Sequence, residues 1–440
     1  MQTSTRNDVL LKRSLAAVWH PCTQMKQHES LPLIPVAYGR GCWLYDFEGR
    51  RYLDAVSSWW VNLFGHANPR INAALIDQIE KLEHVLLAGF THEPVIELSE
   101  RLALRTGGKL GHCFYASDGA SATEIALKMS FHYWRNTGSP EKTQFVSLKG
   151  SYHGETAGAL SVTDVALFRD TYAPLLRTSR QVPTPDWRLA ETDESPQNFA
   201  VRCAQELESY LAAHHPATAA LIVEPLVQGA AGMAMYHPEY LRRARAICDE
   251  YRVHLIDDEI MTGFGRTGSF FAYEQAGITP DFLCLSKGIT GGYLPLSAVL
   301  ASDVVFDAFY DDDATRGFLH SHSYTGNALA CRAALATLDI FDDDDVIGTN
   351  RTKAAALNVL TQPLAKHPRV RNFRRTGFIW AFEVESDEVS IGRRIYAAAL
   401  EAEILLRPIG STVYFMPPYT IAEDEFAMLV DRTVDIVQSL

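Results

Sequence analysis

The chain has 440 residues, long enough for two domains, and its 47% hydrophobic and 21% charged content is ordinary for a globular enzyme. A net charge of −13 argues against nucleic acid or an anionic membrane as the main partner, and no apolar run reaches the ~18 residues of a membrane helix. Seven scattered cysteines, none spaced C-x-x-C, argue against a disulfide frame or a zinc site and point to reduced thiols in a cytoplasmic protein.

The first stretch, MQTSTRNDVLLKRSLAAVWH, has neither an uninterrupted apolar core nor a small-residue cleavage site, so no signal peptide is expected. Residues 1 to about 36, with prolines at 21, 32 and 35, read as irregular, and WHPCTQMK reads as a loop over a site or an interface. In 39–56 the alternation of Trp43, Tyr45 and Phe47 and the Glu48-Gly49 pair predict a hairpin. SSWW follows; neighbours on a strand face opposite ways, so at least one tryptophan is expected to line a cavity.

From about residue 70, short apolar runs alternate with amphipathic stretches. HCFYA (112–116), QFVSL (144–148), AALIVEPL (219–226), VHLID (253–257), FLCLS (282–286) and LSAVLA (296–301) predict strands. Such alternation indicates an α/β fold with a mostly parallel central sheet buried on both faces, whose ligands lie beyond the carboxyl ends of the strands. After about 335 the pattern becomes α+β. VRNFRRTGFIWAFEVE and EILLRPIGSTVYFMPPYT read as strands, the latter as a hairpin around Ile409 to Thr412, and EDEFAMLVDRTVDIVQSL has helical spacing. The expected division is 1–65, an N-terminal segment and hairpin; 66–335, a large domain; and 336–440, which joins the first segment in a smaller domain.

Two of the apolar runs end in charge, at Asp257, Asp258 and Glu259, and at Lys287. An ammonium withdrawn from water without use is costly, whereas a lysine discouraged from charging is a better nucleophile toward an aldehyde. A carboxylate on the neighbouring strand end suits the protonated ring nitrogen of a pyridine cofactor. Asp258 and Lys287 together point to pyridoxal 5'-phosphate. In YASDGASATEIALK the N–H groups of Gly119 and Ala120, with Ser117 and Ser121 nearby, open a helix that could hold a phosphate. In GSYHGET, Tyr152 could stack on a flat ring beside His153. Glu224, inside an apolar strand, requires a hydrogen-bonded or cationic partner. Each signal alone also fits a capped helix, a loop aromatic, a structural ion pair or a surface lysine; their order on one α/β frame favours the cofactor.

Other motifs fail their context. GFGRTG (263–268) follows a strand but continues SFFAYEQAGITP instead of opening a helix, so a dinucleotide site is not expected. Lys109 is followed by Leu110, which removes a P-loop. His320 and His322 lack neighbouring acids or cysteines, and no metal site is expected.

LIDDEIMTGFGRTG, LCLSKGITGGYLPLSAVLAS, GSYHGET and HSYTGNALAC resemble the class-III (ω-amino acid) pyridoxal-phosphate aminotransferases of fold type I, over roughly residues 18 to 420. The resemblance implies that Lys287 bonds the cofactor and moves the substrate proton, Asp258 keeps the ring nitrogen protonated, and Tyr152 stacks on the ring. It further implies that Gly119 and Ala120 hold the phosphate, and that Ser323, where the family usually has threonine, reaches it from the second subunit of a homodimer. Trp59, Tyr152, Lys287, Ser321 and Arg407 would contact the substrates, Trp59 as a wall and Arg407 as partner of a carboxylate. Within the family, WHPCTQM, SSWWVNLFGH, AGFTHEP and LLRPIGSTVYFMPPY imply transfer of an amino group from S-adenosylmethionine to 8-amino-7-oxononanoate in biotin biosynthesis. Two positions depart: Cys22 replaces the family tyrosine of W-H-P-Y-T, and Glu155 replaces the aspartate after Y-H-G. Other readings on the same motifs are a class-III ω-aminotransferase pairing a diamine or β-amino acid with pyruvate, an aminomutase or decarboxylase, and a pyridoxal-binding protein without activity.

Overall fold

The structure is a computed structural model and describes residues 4–31 and 33–440. The chain forms two compact units: Met1–Pro69, Ala355–Phe373 and Trp380–Leu440 in one, Arg70–Ala354 and Arg374–Ile379 in the other. In the first unit β1 (Val36–Arg40), β2 (Trp43–Asp46) and β3 (Arg51–Asp54) form an antiparallel meander whose β2–β3 turn spans the Glu48-Gly49 pair.

The second unit is built on a seven-stranded sheet. Its strands are β4 (His112–Ala116), β5 (Gln144–Leu148), β6 (Arg180–Val182), β7 (Thr218–Val223), β10 (His254–Asp258), β11 (Phe282–Leu285) and β12 (Ser297–Ala301), while β8 (Val227–Gln228) and β9 (Ala234–Met235) form a separate ribbon. The order is β4-β12-β11-β10-β7-β5-β6, with β12 antiparallel to both neighbours and the other pairs parallel. Every residue of β7, β10, β11 and β12 is buried, which is why these runs are apolar without alternation. Ile256, Phe282 and Val299 meet Ile125, Ala126 and Met129 of the helix Gly119–Asn136 in one core.

The structure refines the strand predictions. The β10 run slides one residue, so that Asp258 is its last member. β7 stops at Val223, because Pro225 has no N–H to continue the ladder. β6, three residues at the sheet edge, is too short to leave a pattern.

Further along the chain, β13 (Val370–Thr376), β14 (Ile379–Val384) and β16 (Thr412–Phe415) form a three-stranded sheet, while β15 (Ile404–Leu405) runs parallel beside β3. The hairpin predicted around Ile409 to Thr412 is therefore a correction. Those two residues exchange backbone hydrogen bonds of 2.9 Å across a tight turn, but the flanking strands go to different sheets. The terminal helix Glu423–Ser439 buries Phe426, Leu429, Val430 and Val437 as its spacing predicts. A second correction concerns the irregular N-terminal stretch. Residues Arg6–Ala17 form a helix whose Thr5 and Asp8 make a reciprocal cap, although none of its residues is buried. Residues 1–3 and Pro32 of that stretch lie outside the described residues. Among the described residues no helix is long and apolar enough to cross a membrane, and no cluster of three or more histidine, cysteine or acidic residues could hold a metal.

Candidate active site

Three adjacent parallel strands, β7, β10 and β11, bring Glu224, Asp258 and Lys287 to their carboxyl ends. Asp257 is level with Val223 and Asp258 with Cys284, so Glu224 and Lys287 stand just past the ladder on either side of Asp258. Lys287 opens a single turn, Lys287–Thr290, with φ of 47°, a left-handed conformation uncommon for a side-chain-bearing residue and a recurrent mark of functional positions. Burial pushes its amine down to about 8, against the opposing pull of Asp258 and Glu224. Near neutral pH a fraction of this side chain is therefore an uncharged amine.

Asp258 is buried and held at both oxygens: Oδ1 accepts from Ile260 N at 3.1 Å, and Oδ2 lies 2.7 Å from His153 Nδ1. The carboxylate can accept there only if His153 carries a proton on Nδ1, which fixes that face of the ring as donor. His153 is held by its own backbone, its N–H donating to Thr163 Oγ1 and its carbonyl accepting from Thr123 Oγ1. Glu224 finds its required partners in the backbone, accepting from Tyr152 N and Gly229 N, both at 2.9 Å. Burial raises its pKa to about 7, with Asp258 adding to the rise and His153 opposing it. Tyr152 is thus anchored by Glu224 at its N–H, while its hydroxyl donates to Glu155 at 2.9 Å. The departure at Glu155 has this consequence: the longer carboxylate reaches the phenol of the residue three before it.

The helix Gly119–Asn136 starts beside these groups. Asp118 caps it, accepting from Ser121 N at 3.0 Å, and the N–H groups of the first turn have no acceptor within the helix. A Cβ on Gly119 would come within 2.9 Å of Ile260 Cγ2, and one on Gly154 within 2.5 Å of Ala120 Cβ. Glycine at both places lets the helix start, the Tyr152–Gly154 loop and the end of β10 approach closely. These residues fit pyridoxal phosphate. An amine pushed toward neutrality, a buried carboxylate held from behind, an anchored tyrosine ring and a helix start cleared of side chains match its aldehyde, ring nitrogen, ring face and phosphate. The buried Nε2 of His153, which has no hydrogen-bond partner, is a further polar atom in this wall.

Ser321 and Ser323 lie on an exposed segment before the helix Ala328–Asp343, where the Ser323 carbonyl is 2.8 Å from His84 Nε2; both side chains face outward. Trp59 and Arg407 belong to the other unit, where the structure brings them together: the guanidinium carbon lies 4.1 Å over the Trp59 ring. Trp59 sits in an unusual segment. Ser57, Ser58, Trp59 and Trp60 have φ of 50°, 46°, 74° and 72°, four left-handed residues without a glycine. At about 1–2 kcal/mol each, such a turn carries several kcal/mol that its surroundings must offset. The Asp54 carboxylate is completely buried beside it and accepts from Ser58 N at 2.9 Å and Ser58 Oγ at 2.7 Å. His66 Nε2 lies 3.0 Å from the same carboxylate, and its ring passes so close to Gly39 that a Cβ there would stand 2.6 Å from His66 Cβ. Sequence reading missed His153 as the partner of Asp258, and Asp54 altogether.

Asp257, next to Asp258, points to the opposite face of the sheet, and neither of its buried carboxyl oxygens has a hydrogen-bond partner. Burial pushes its pKa up to about 8, with Arg245 opposing and Asp281 and Asp258 reinforcing. The folded chain therefore keeps this proton while the unfolded chain releases it near pH 4, so stability falls as pH rises from about 4 to about 8. Asp257→Asn should unfold at the same urea concentration as the parent near pH 4 but be more stable by about 2–4 kcal/mol at pH 7. Equal midpoints at pH 7 would mean that the carboxylate is ionised in the fold.

The class-III aminotransferase family model matches residues 24–437. An adenosylmethionine-8-amino-7-oxononanoate aminotransferase from Helicobacter pylori is 46% identical over 435 residues, covering 97% of each chain. The crystal structure of adenosylmethionine-8-amino-7-oxononanoate aminotransferase from Methanocaldococcus jannaschii superposes with a TM-score of 0.92 at 35% identity, covering 98% of this chain and 99% of that one. An amine transaminase from an uncultivated Pseudomonas species, solved in its PLP-bound form, gives 0.90 at 33% identity, over 96% and 98% of the two chains.

Proposed function

Because the chain belongs to the class-III aminotransferases, we propose that it moves the α-amino group of S-adenosylmethionine to 8-amino-7-oxononanoate, yielding 7,8-diaminononanoate in biotin biosynthesis, with pyridoxal 5'-phosphate as cofactor. The observation that carries this reading is Lys287, its amine pushed toward neutrality at a strand end beside Asp258. Pyridoxal phosphate, when bound, supplies an electron sink that lets a substrate C–H bond beside nitrogen lose its proton. The residues 66–335 form the cofactor domain in this reading.

Lys287 has two roles at one atom. Its Nζ would hold the cofactor through the aldehyde, and in the reaction it would accept the proton that leaves the substrate carbon and return it at the neighbouring position. Asp258 would keep the ring nitrogen protonated, and His153 and Ile260 N fix the direction of its carboxylate. Gly119 and Ala120 would offer their N–H groups to the phosphate, and Tyr152, held at its N–H by Glu224, would stack on the ring. Trp59 forms a pocket wall and Arg407 receives a substrate carboxylate through its planar fork; Ser321 is a further substrate contact in this reading. Ser323 acts across a homodimer, completing the phosphate site of the second subunit. A cytoplasmic setting belongs to the same reading, on the scattered spacing of the seven cysteines.

The second reading, an ω-aminotransferase using a diamine or β-amino acid with pyruvate, is favoured by one observation: Cys22 is exposed and small where a phenol would border the donor. The two are separated by adding S-adenosylmethionine, lysine, alanine and a diamine one at a time to purified holoenzyme. S-adenosylmethionine alone should convert the aldehyde absorbance to that of the amine form, and subsequent 8-amino-7-oxononanoate should restore it. Conversion by the diamine and recovery with pyruvate, without response to S-adenosylmethionine, would replace the first reading by the second.

A further inference from the structure

We propose that Asp54, acting with Ser58 and His66, is a positioning residue for substrate recognition: it locks residues 57–60 in their left-handed turn and so sets the Trp59 ring against the Arg407 guanidinium. The inference rests on the functional reading in one respect, that Trp59 and Arg407 meet the carboxylate end of a substrate. Asp54 itself touches neither.

The Asp54 carboxylate is fully buried and surrounded by donors. Oδ1 accepts from Val56 N at 3.3 Å and Ser58 N at 2.9 Å; Oδ2 accepts from Ser58 Oγ at 2.7 Å and lies 3.0 Å from His66 Nε2. Asn62 Nδ2 stands 3.2 Å from His66 Nδ1. An amide N–H donates, so Nδ1 accepts and the ring proton sits on Nε2, facing Asp54. Both donors of Ser58, the second residue of the turn, are thus spent on one carboxylate. Chains of L-residues leave the left-handed region unless their surroundings over-determine it. Asp54 does so from inside the turn. At its ends Ser57 Oγ donates to the Met416 carbonyl at 2.7 Å, and Trp60 Nε1 donates to the Tyr414 hydroxyl at 3.0 Å.

The side chain left to project from this clamp is Trp59, 40% exposed, over which Arg407 lies. A guanidinium resting on a ring keeps its N–H groups at its edge, in its own plane, where a carboxylate can be taken in two parallel hydrogen bonds. The turn therefore orients the arginine through the tryptophan. Glycine, which reaches positive φ without cost, would provide the conformation unaided; a β-branched residue would resist it. Ser58 is exposed, so its replacement probes the turn without disturbing a core.

The experiment compares Ser58→Val, Ser58→Gly, Asp54→Asn and the Asp54→Asn/Ser58→Gly double variant as holoenzymes, with Arg407→Ala setting the upper limit of the effect. Ser58→Val and Asp54→Asn should raise KM for the carboxylate-bearing acceptor about tenfold, with a much smaller change in kcat. Ser58→Gly should shift it no more than about twofold, and the double variant should recover most of what Asp54→Asn loses. A wild-type KM in Ser58→Val, or a loss in Asp54→Asn that falls equally on kcat and is not relieved by Ser58→Gly, overturns the proposal. Crystal structures of Ser58→Val and Asp54→Asn give a readout independent of the reaction. The turn should relax and Trp59 leave Arg407; a left-handed turn retained in both overturns the proposal. Should the parent enzyme turn over no carboxylate substrate at all, the functional reading fails, and these structures still decide the role of Asp54.

Discussion

Lys287→Ala is expected to reduce turnover by at least about 10⁴-fold, the equivalent of some 5 kcal/mol of transition-state stabilisation, while leaving a folded chain. Two losses combine at one position. In the proposed reading the variant lacks both the amine that would hold the cofactor and the base that would carry the proton between carbons. Lys287→Arg should do no better, because a guanidinium keeps its charge at any ordinary pH and cannot serve as either. Folding should survive, since the lysine sits at the end of β11, past the apolar ladder that holds the sheet together. Circular dichroism and single-turnover absorbance with the amino donor check both halves of the expectation. A variant retaining more than about a tenth of parental turnover would refute the assignment.

Asp258→Asn should slow the donor half-reaction by about 10²–10⁴-fold. The amide keeps the shape and can still accept from Ile260 N, but it cannot hold a proton on a neighbouring ring nitrogen by charge. It also turns one donor toward His153 Nδ1, 2.7 Å from the present carboxylate, so the imidazole must move its proton to Nε2. The effect should appear in the rate of proton removal and much less in donor affinity. That separation is visible when single-turnover rates are followed against donor concentration. A near-normal limiting rate would place the ring nitrogen elsewhere.

The legible part of this molecule is the part governed by short-range pattern. The strands around Asp258 and Lys287 were readable because buried parallel strands must be continuously apolar, so a charge at their end stands out. Helix starts with small residues, as at Gly119, were readable for the same reason. The Asp258–His153 contact was not, for the two lie 105 residues apart and only the sheet order β10-β7-β5 brings their strand ends together. The helix Arg6–Ala17 left one signal, the Thr5-x-x-Asp8 cap, but no apolar stripe, because it buries nothing. The turn at 57–60 left none: left-handed residues are sought by their glycines, and here serines and tryptophans are forced into that region by a carboxylate three residues earlier. The turn at Ile409–Thr412 misled because local pattern cannot say that two adjacent strands will part company.

The bare hydrogen at position 39 ties an edge strand to the hydrogen bonds around Asp54. Gly39 lies on β1, and a methyl group there would meet His66, the imidazole that backs the Asp54 carboxylate. Gly39→Ala would therefore displace His66 at its Cβ and Cγ, and with it the hydrogen bond that backs the Asp54 carboxylate. A single hydrogen atom on an edge strand is thus a condition for the hydrogen-bonded set that holds residues 57–60.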